Sequence, residues 1–195
     1  MSFLSKKQEI DLQHFCHDFY DKHILYQADK GVDLIKIHTD SVKKALTEAD
    51  NVFADIDSEK LKNELTILLF ELFALAWVHK FGDKLAVVQS VFTKKYLHEK
   101  GRDDIWDGME KYNGAVSHSV TVGLGDINRN FIIRARMNVA DIYIANAEKN
   151  GVTIDESIGR AVNRLLSEKA WKNDRTVYFL RQYWGTLVQI QLDIE

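Results

Sequence analysis

Apolar positions recur at three- and four-residue spacing along most of this chain, and no proline interrupts the rhythm, so the pattern predicts long helices. They fall at about 6–29, 32–50, 58–81, 84–99, 103–120, 128–150, 155–168 and 174–193. Gly31, Gly82, Gly101 and Gly151 sit just past periodic segments, where glycine accepts a left-handed C-cap. Ser58, Asp155 and Asp174 are placed to cap the free N–H groups of the helices that follow. The weakest helical pattern is 113–128, which mixes glycines with β-branched residues and reads as a kinked helix or a loop.

The faces of these helices differ. On the first, Leu12, Phe15, Cys16, Phe19, His23 and Tyr26 share one side, and His14, His17, Asp18 and Asp21 share the other. The segment 67–78 is apolar all round except for Glu71, the signature of a helix surrounded by others, and 177–192 is similar. These observations imply an all-α bundle of about seven or eight helices, with 58–81 and 174–193 as a strongly buried central pair. Without an internal repeat or a low-complexity linker, residues 1–195 read as one domain.

Composition narrows the function classes. With 46% hydrophobic and 28% charged residues, the chain can bury a core and stay in solution. Its 26 basic and 29 acidic residues form no polycationic stripe, so nucleic acid is not an expected partner. The lone Cys16 rules out an internal disulfide and a multi-cysteine zinc site, and reads as a small core residue in a reducing, cytoplasmic setting. The N-terminal residues lack a signal-peptide pattern, and the apolar run 65–78 is too short to span a bilayer, so no membrane association is expected.

Glu71 carries the most chemistry, because a carboxylate inside an apolar helix must find a partner, take up a proton or bind a metal. Glu64 and His79 lie about two turns to either side, so Glu64, Glu71 and His79 form one stripe and a metal-ligating set. The Glu-x-x-His spacing of carboxylate-bridged metal bundles is missing, since residue 74 is Ala and residue 67 is Ile. A buried ion pair is the plainer reading, with Arg136 or Arg181, each in apolar company, as the partner.

Arg134, Asn138 and Asp141 repeat at i, i+4 and i+7 and draw a polar stripe along the sixth predicted helix. Together with Arg136 and Arg181 they suggest either a helix–helix polar network or a pocket for an anionic small molecule, since guanidinium stays charged when desolvated. GLGDINRN, residues 123–130, completes neither a dinucleotide fingerprint nor a P-loop, and reads as a turn in which Asp126 or Asn128 caps the next helix. His14, His17, Asp18 and Asp21 read as a solvated face, His23 as a core histidine, and His118 lacks an orienting carboxylate for catalysis.

No complete catalytic set emerges, and no cofactor is assigned. The preferred expectation is a non-catalytic helical protein that acts through association, as a homo-oligomer or with a protein partner. The alternative is a bundle that binds an anionic small molecule or a metal at an interior site near Glu71 and Arg136.

Overall fold

A computed structural model describes residues 4–26, 28–30, 32, 56–116, 124–155 and 159. Among them every regular element is helical, as the periodicity predicts: α1 (Lys6–Phe19), α2 (Ser58–Phe81), α3 (Asp83–Glu99), α4 (Asp103–Val116) and α5 (Leu124–Lys149). The helices expected at 32–50, 155–168 and 174–193 fall outside the described residues, apart from Val32, Asp155 and Gly159.

Local chemistry sets the ends. Ser5 and Gln8 form a reciprocal capping box at the start of α1, with the Ser5 N–H donating to Gln8 Oε1 at 2.8 Å. The start of α2 differs from expectation. Asp57, one residue before Ser58, accepts from the Glu59 and Lys60 N–H groups at 3.1 Å each, and Ser58 is the first helical residue. Gly82, Gly101 and Gly151 do take positive φ values of 77°, 67° and 73°. At the other doubtful boundary, α5 begins at Leu124, so Asp126 and Asn128 lie within its first turns and not in a turn ahead of it.

α1 is the largest departure from simple periodicity. It runs into a π-helical turn, Tyr20–Leu25, which accommodates one extra residue and shifts the buried face by one position. Cys16 and Phe19 are buried as expected, but beyond them the buried face passes through Tyr20, Ile24 and Ala28, all wholly buried, in place of His23, which is half-buried, and Tyr26, which is 54% exposed. Four-residue steps would drift about 40° each around a regular α-helix, and the wider turn takes up that drift. A second departure, within α1 itself, is His17, expected in water. It is half-buried against Tyr96, with ring centroids 5.1 Å apart, and its Nε2 is buried without a hydrogen-bond partner.

α2 is the central element, packed on α3, α4, α5 and the π turn, which explains why it is apolar all round. Phe70, Phe73 and Trp77 interleave with Phe15, Phe19 and Tyr20 in stacked, tilted and edge-on ring contacts, including Tyr20–Phe70 at 5.0 Å and Phe19–Phe73 at 4.9 Å. Trp77 also ties α2 to α3 by donating its indole N–H to the Leu85 carbonyl at 3.0 Å. α2 and α4 meet closely at Gly108, where a Cβ would overlap the Ile67 side chain. No helix among the described residues is long and apolar enough to cross a membrane.

Candidate functional site

Two clefts open along α2, and each receives one carboxyl group of the Glu64–Glu71 stripe. The larger, about 450 Å³, is lined by α2, α4 and α5. Glu64 enters it from α2, Tyr112 from α4 and Asn138 from α5. The Tyr112 hydroxyl donates to Glu64 Oε2 at 3.0 Å, and Asn138 Nδ2 donates to the same oxygen at 2.9 Å and approaches the tyrosine hydroxyl at 3.3 Å. Three helices thus converge on one carboxylate oxygen. Burial, then the neighbouring Glu64 charge and its hydrogen bond, raise the Tyr112 pKa and hold the phenol protonated as a donor.

Exposure is graded across this cleft. Tyr112 is buried, Glu64 and Asn138 are half-buried, and Lys60, Lys111, Arg134 and Asp141 are exposed around them. Lys60, Lys111 and Arg134 stand against Glu64, Asp104 and Asp141, but Asp104 is already held by Arg102 Nε at 3.0 Å. Three cations therefore face two remaining carboxylates.

The smaller cleft, about 200 Å³, is lined by α2, α3 and α4. Glu71, only 2% exposed, contributes to its wall, and burial pushes this carboxyl up to about 8, so at neutral pH it is mostly protonated. Opposite stand Gln89, Ser90 and Thr93 of α3, and Trp106, Met109 and Glu110 of α4. Gln89 Nε2 donates to Thr93 Oγ1 at 2.7 Å and to the Tyr20 hydroxyl at 3.1 Å, while the tyrosine and threonine hydroxyls lie 2.7 Å apart. This buried network fixes the α3 wall to the π turn. Trp106 donates its indole N–H to Glu110 Oε1 at 2.8 Å, and the Lys94 ammonium lies 5.2 Å from the indole.

Of the anion-binding residues expected from the sequence, Arg134 and Asp141 share the larger cleft with Glu64, whereas Glu71 lines the smaller one. Glu64 and Glu71 thus serve different clefts. The side chains of Arg136 and His79, and Arg181 as a whole, lie outside the described residues. Among the described residues no group of three His, Cys, Asp or Glu side chains is gathered to hold a metal ion. Cys16 is buried beside Tyr20, and burial pushes its thiol up to about 12, which makes it a packing residue and a poor nucleophile.

Sequence reasoning did not single out Tyr112, Gln89 or Thr93. Tyr112 lies seven residues after Ile105 and three after Met109, both buried, so helical phase points it inward with its hydroxyl needing a partner. Gln89 and Thr93 are polar interruptions one turn apart on the face of α3 that buries Leu85, Phe92 and Tyr96. Comparisons with protein families, with curated proteins and with solved structures each found no match.

Proposed function

We propose that this protein binds a small anionic molecule in the Glu64–Tyr112–Asn138 cleft. The observation that supports the reading is the convergence of three helices on one hydrogen-bonded cluster beneath an exposed set of three cations. Volume agrees: about 450 Å³ lies in the range of small-molecule sites. Arg134, Lys60 and Lys111 supply charge for a carboxylate or phosphate, and Glu64 and Asn138 offer hydrogen-bonding groups for the rest of the molecule. Titration calorimetry of the full chain against a panel of small carboxylates and phosphate monoesters tests it. At least one should bind, and Arg134→Met should weaken it about tenfold, the usual size of a lost charge-assisted contact. A panel that produces no binder, or a binder indifferent to Arg134→Met and to Lys111→Met, removes this reading.

Association through an apolar face stands as the second reading, and one feature favours it. Val87 and Val91, one turn apart on α3, are 67% and 59% exposed, which places two β-branched side chains together in water. Light scattering on the eluting protein should then report more than one subunit, reduced by Val87→Ser with Val91→Ser; a strict monomer at high concentration removes this second reading.

A further inference from the structure

The smaller cleft differs in chemistry from the site proposed above and calls for a different ligand. Its lining combines the carboxyl groups of Glu71 and Glu110 with the side-chain oxygens of Gln89, Ser90 and Thr93 and the indole of Trp106, and among the described residues it includes no cationic side chain. Carboxylates and neutral oxygen acceptors are groups that recognise an organic ammonium ion, while the Trp106 ring already has the Lys94 ammonium over it at 5.2 Å. From this lining, rich in carboxyl and neutral oxygen groups, we infer that the cleft between α2, α3 and α4 is a second binding site, selective for a small organic cation such as a primary alkylammonium.

Size limits the ligand. A volume of about 200 Å³ admits a short aliphatic amine and excludes most larger metabolites. Ala74, Val78, Ala86 and Met109 provide apolar wall for an alkyl tail. The ammonium head meets Glu71, and its charge makes the ionised carboxyl the favoured form there. Binding is therefore an exchange: the protonated Glu71 carboxyl gives its proton to solvent, and the ammonium, which keeps its own protons, pairs with the carboxylate that remains. The groups that modulate this exchange are Glu110 from α4, the Lys94 ammonium beside Trp106, the uncharged Gln89, Ser90 and Thr93 from α3, and the Tyr20 hydroxyl behind them. Glu110 favours the cation, whereas Lys94 opposes it from beside the indole.

The experiment is a titration of the full chain with n-butylammonium chloride, followed by ligand-observed NMR, with butan-1-ol as the uncharged isostere. We expect saturable binding of butylammonium that butan-1-ol does not displace. Affinity should climb about tenfold per pH unit from pH 6 to 8 and then level off, because one proton must leave for each cation bound below the Glu71 pKa of about 8. Glu71→Gln keeps the shape and removes the charge, and should weaken binding at least tenfold at pH 8. Glu110→Gln, at an exposed position, should weaken it several-fold with folding intact. Equal binding of the alcohol, an affinity flat across that pH range, or full affinity in both variants would overturn the proposal, and so would the absence of saturable binding at pH 8.

Discussion

Glu64 and Glu71 stand two turns apart on one stripe of one helix, yet they live in opposite environments. Glu64 accepts hydrogen bonds from Tyr112 and Asn138 in a cleft ringed by exposed cations, while Glu71 is sealed against α3 and α4 until its carboxyl is mostly neutral at pH 7. Residue type and position on the helix do not distinguish them. What does is the facing element: α5 brings an amide and a guanidinium to the first, and α3 brings uncharged side chains to the second. A carboxylate's charge is thus decided by the helices packed against it, and a stripe read as one site becomes two.

The largest expected effect breaks that contrast at Glu71. Its folded pKa, about 8, lies above the ordinary 4.5, so between those values the native chain holds a proton that the unfolded chain has lost. Stability should therefore fall as pH rises through this window and level off above pH 8, by a total on the order of 5 kcal/mol. Urea unfolding at a series of pH values measures it. Glu71→Gln should be stabilising above pH 8 and should remove most of the slope; a slope unaltered by the substitution would place the titrating group elsewhere.

Next in size is the close contact between α2 and α4 in the wall of the larger cleft. Gly108 lies where α4 meets Ile67 of α2, and a Cβ there overlaps that isoleucine. Gly108→Ala gains helix propensity of about 1 kcal/mol but must displace the end of the Ile67 side chain, and overpacking of this kind costs about 1–3 kcal/mol. The net effect should be destabilising, with Gly108→Val worse than Gly108→Ala. Thermal unfolding of the two variants gives the order, and a stabilised Gly108→Ala would show that Ile67 moves aside freely.

Smaller again is the hydrogen-bond cluster of the open cleft. Tyr112→Phe removes the donor to Glu64 at 3.0 Å and leaves the ring packed, for an expected loss of about 1 kcal/mol. The loss should shrink in a Glu64→Gln background, since the two side chains share one interaction. Strict additivity in that double-mutant cycle would mean that the cluster does not act as a unit.

How far this contrast was legible in the sequence follows from the same physics. Helical class, the span Ser58–Phe81, its central position and the exceptional character of Glu71 all came from period and polarity, which are local properties. Arg134, Asn138 and Asp141 were recognised as one stripe, and all three line the cleft that Glu64 enters. The division of Glu64 from Glu71 was not legible, because it depends on which helices lie across from α2. Nor was the π turn, since a one-residue insertion alters the face without altering composition, and so Tyr20 and Ile24 were missed while Tyr26 was misplaced. Asp57 in place of Ser58 is a milder case, with two capping residues adjacent and only the backbone choosing between them.

The smallest effect concerns His17, which extends the comparison to a base. Burial lowers its pKa from 6.5, the Glu99 charge works in the opposite direction, and Lys95 adds to the lowering. Its ring hydrogen-bonds the Phe92 backbone, but the buried Nε2 has no acceptor for a second proton. For Glu71, desolvation resists loss of a proton, and for His17 it resists gain of one, so the two groups pull stability in opposite senses along the pH scale. Below pH 6.5 the unfolded chain binds a proton at this site that the folded chain refuses, so His17 stability is present above 6.5 and is lost as pH falls through the window beneath it. NMR titration of the His17 ring should give a midpoint below 6.5. His17→Phe should blunt the acid-side loss, whereas a midpoint at or above 6.5 would mean that the ring is open to water and that α1 sits more loosely on α3 than its contact with Tyr96 implies.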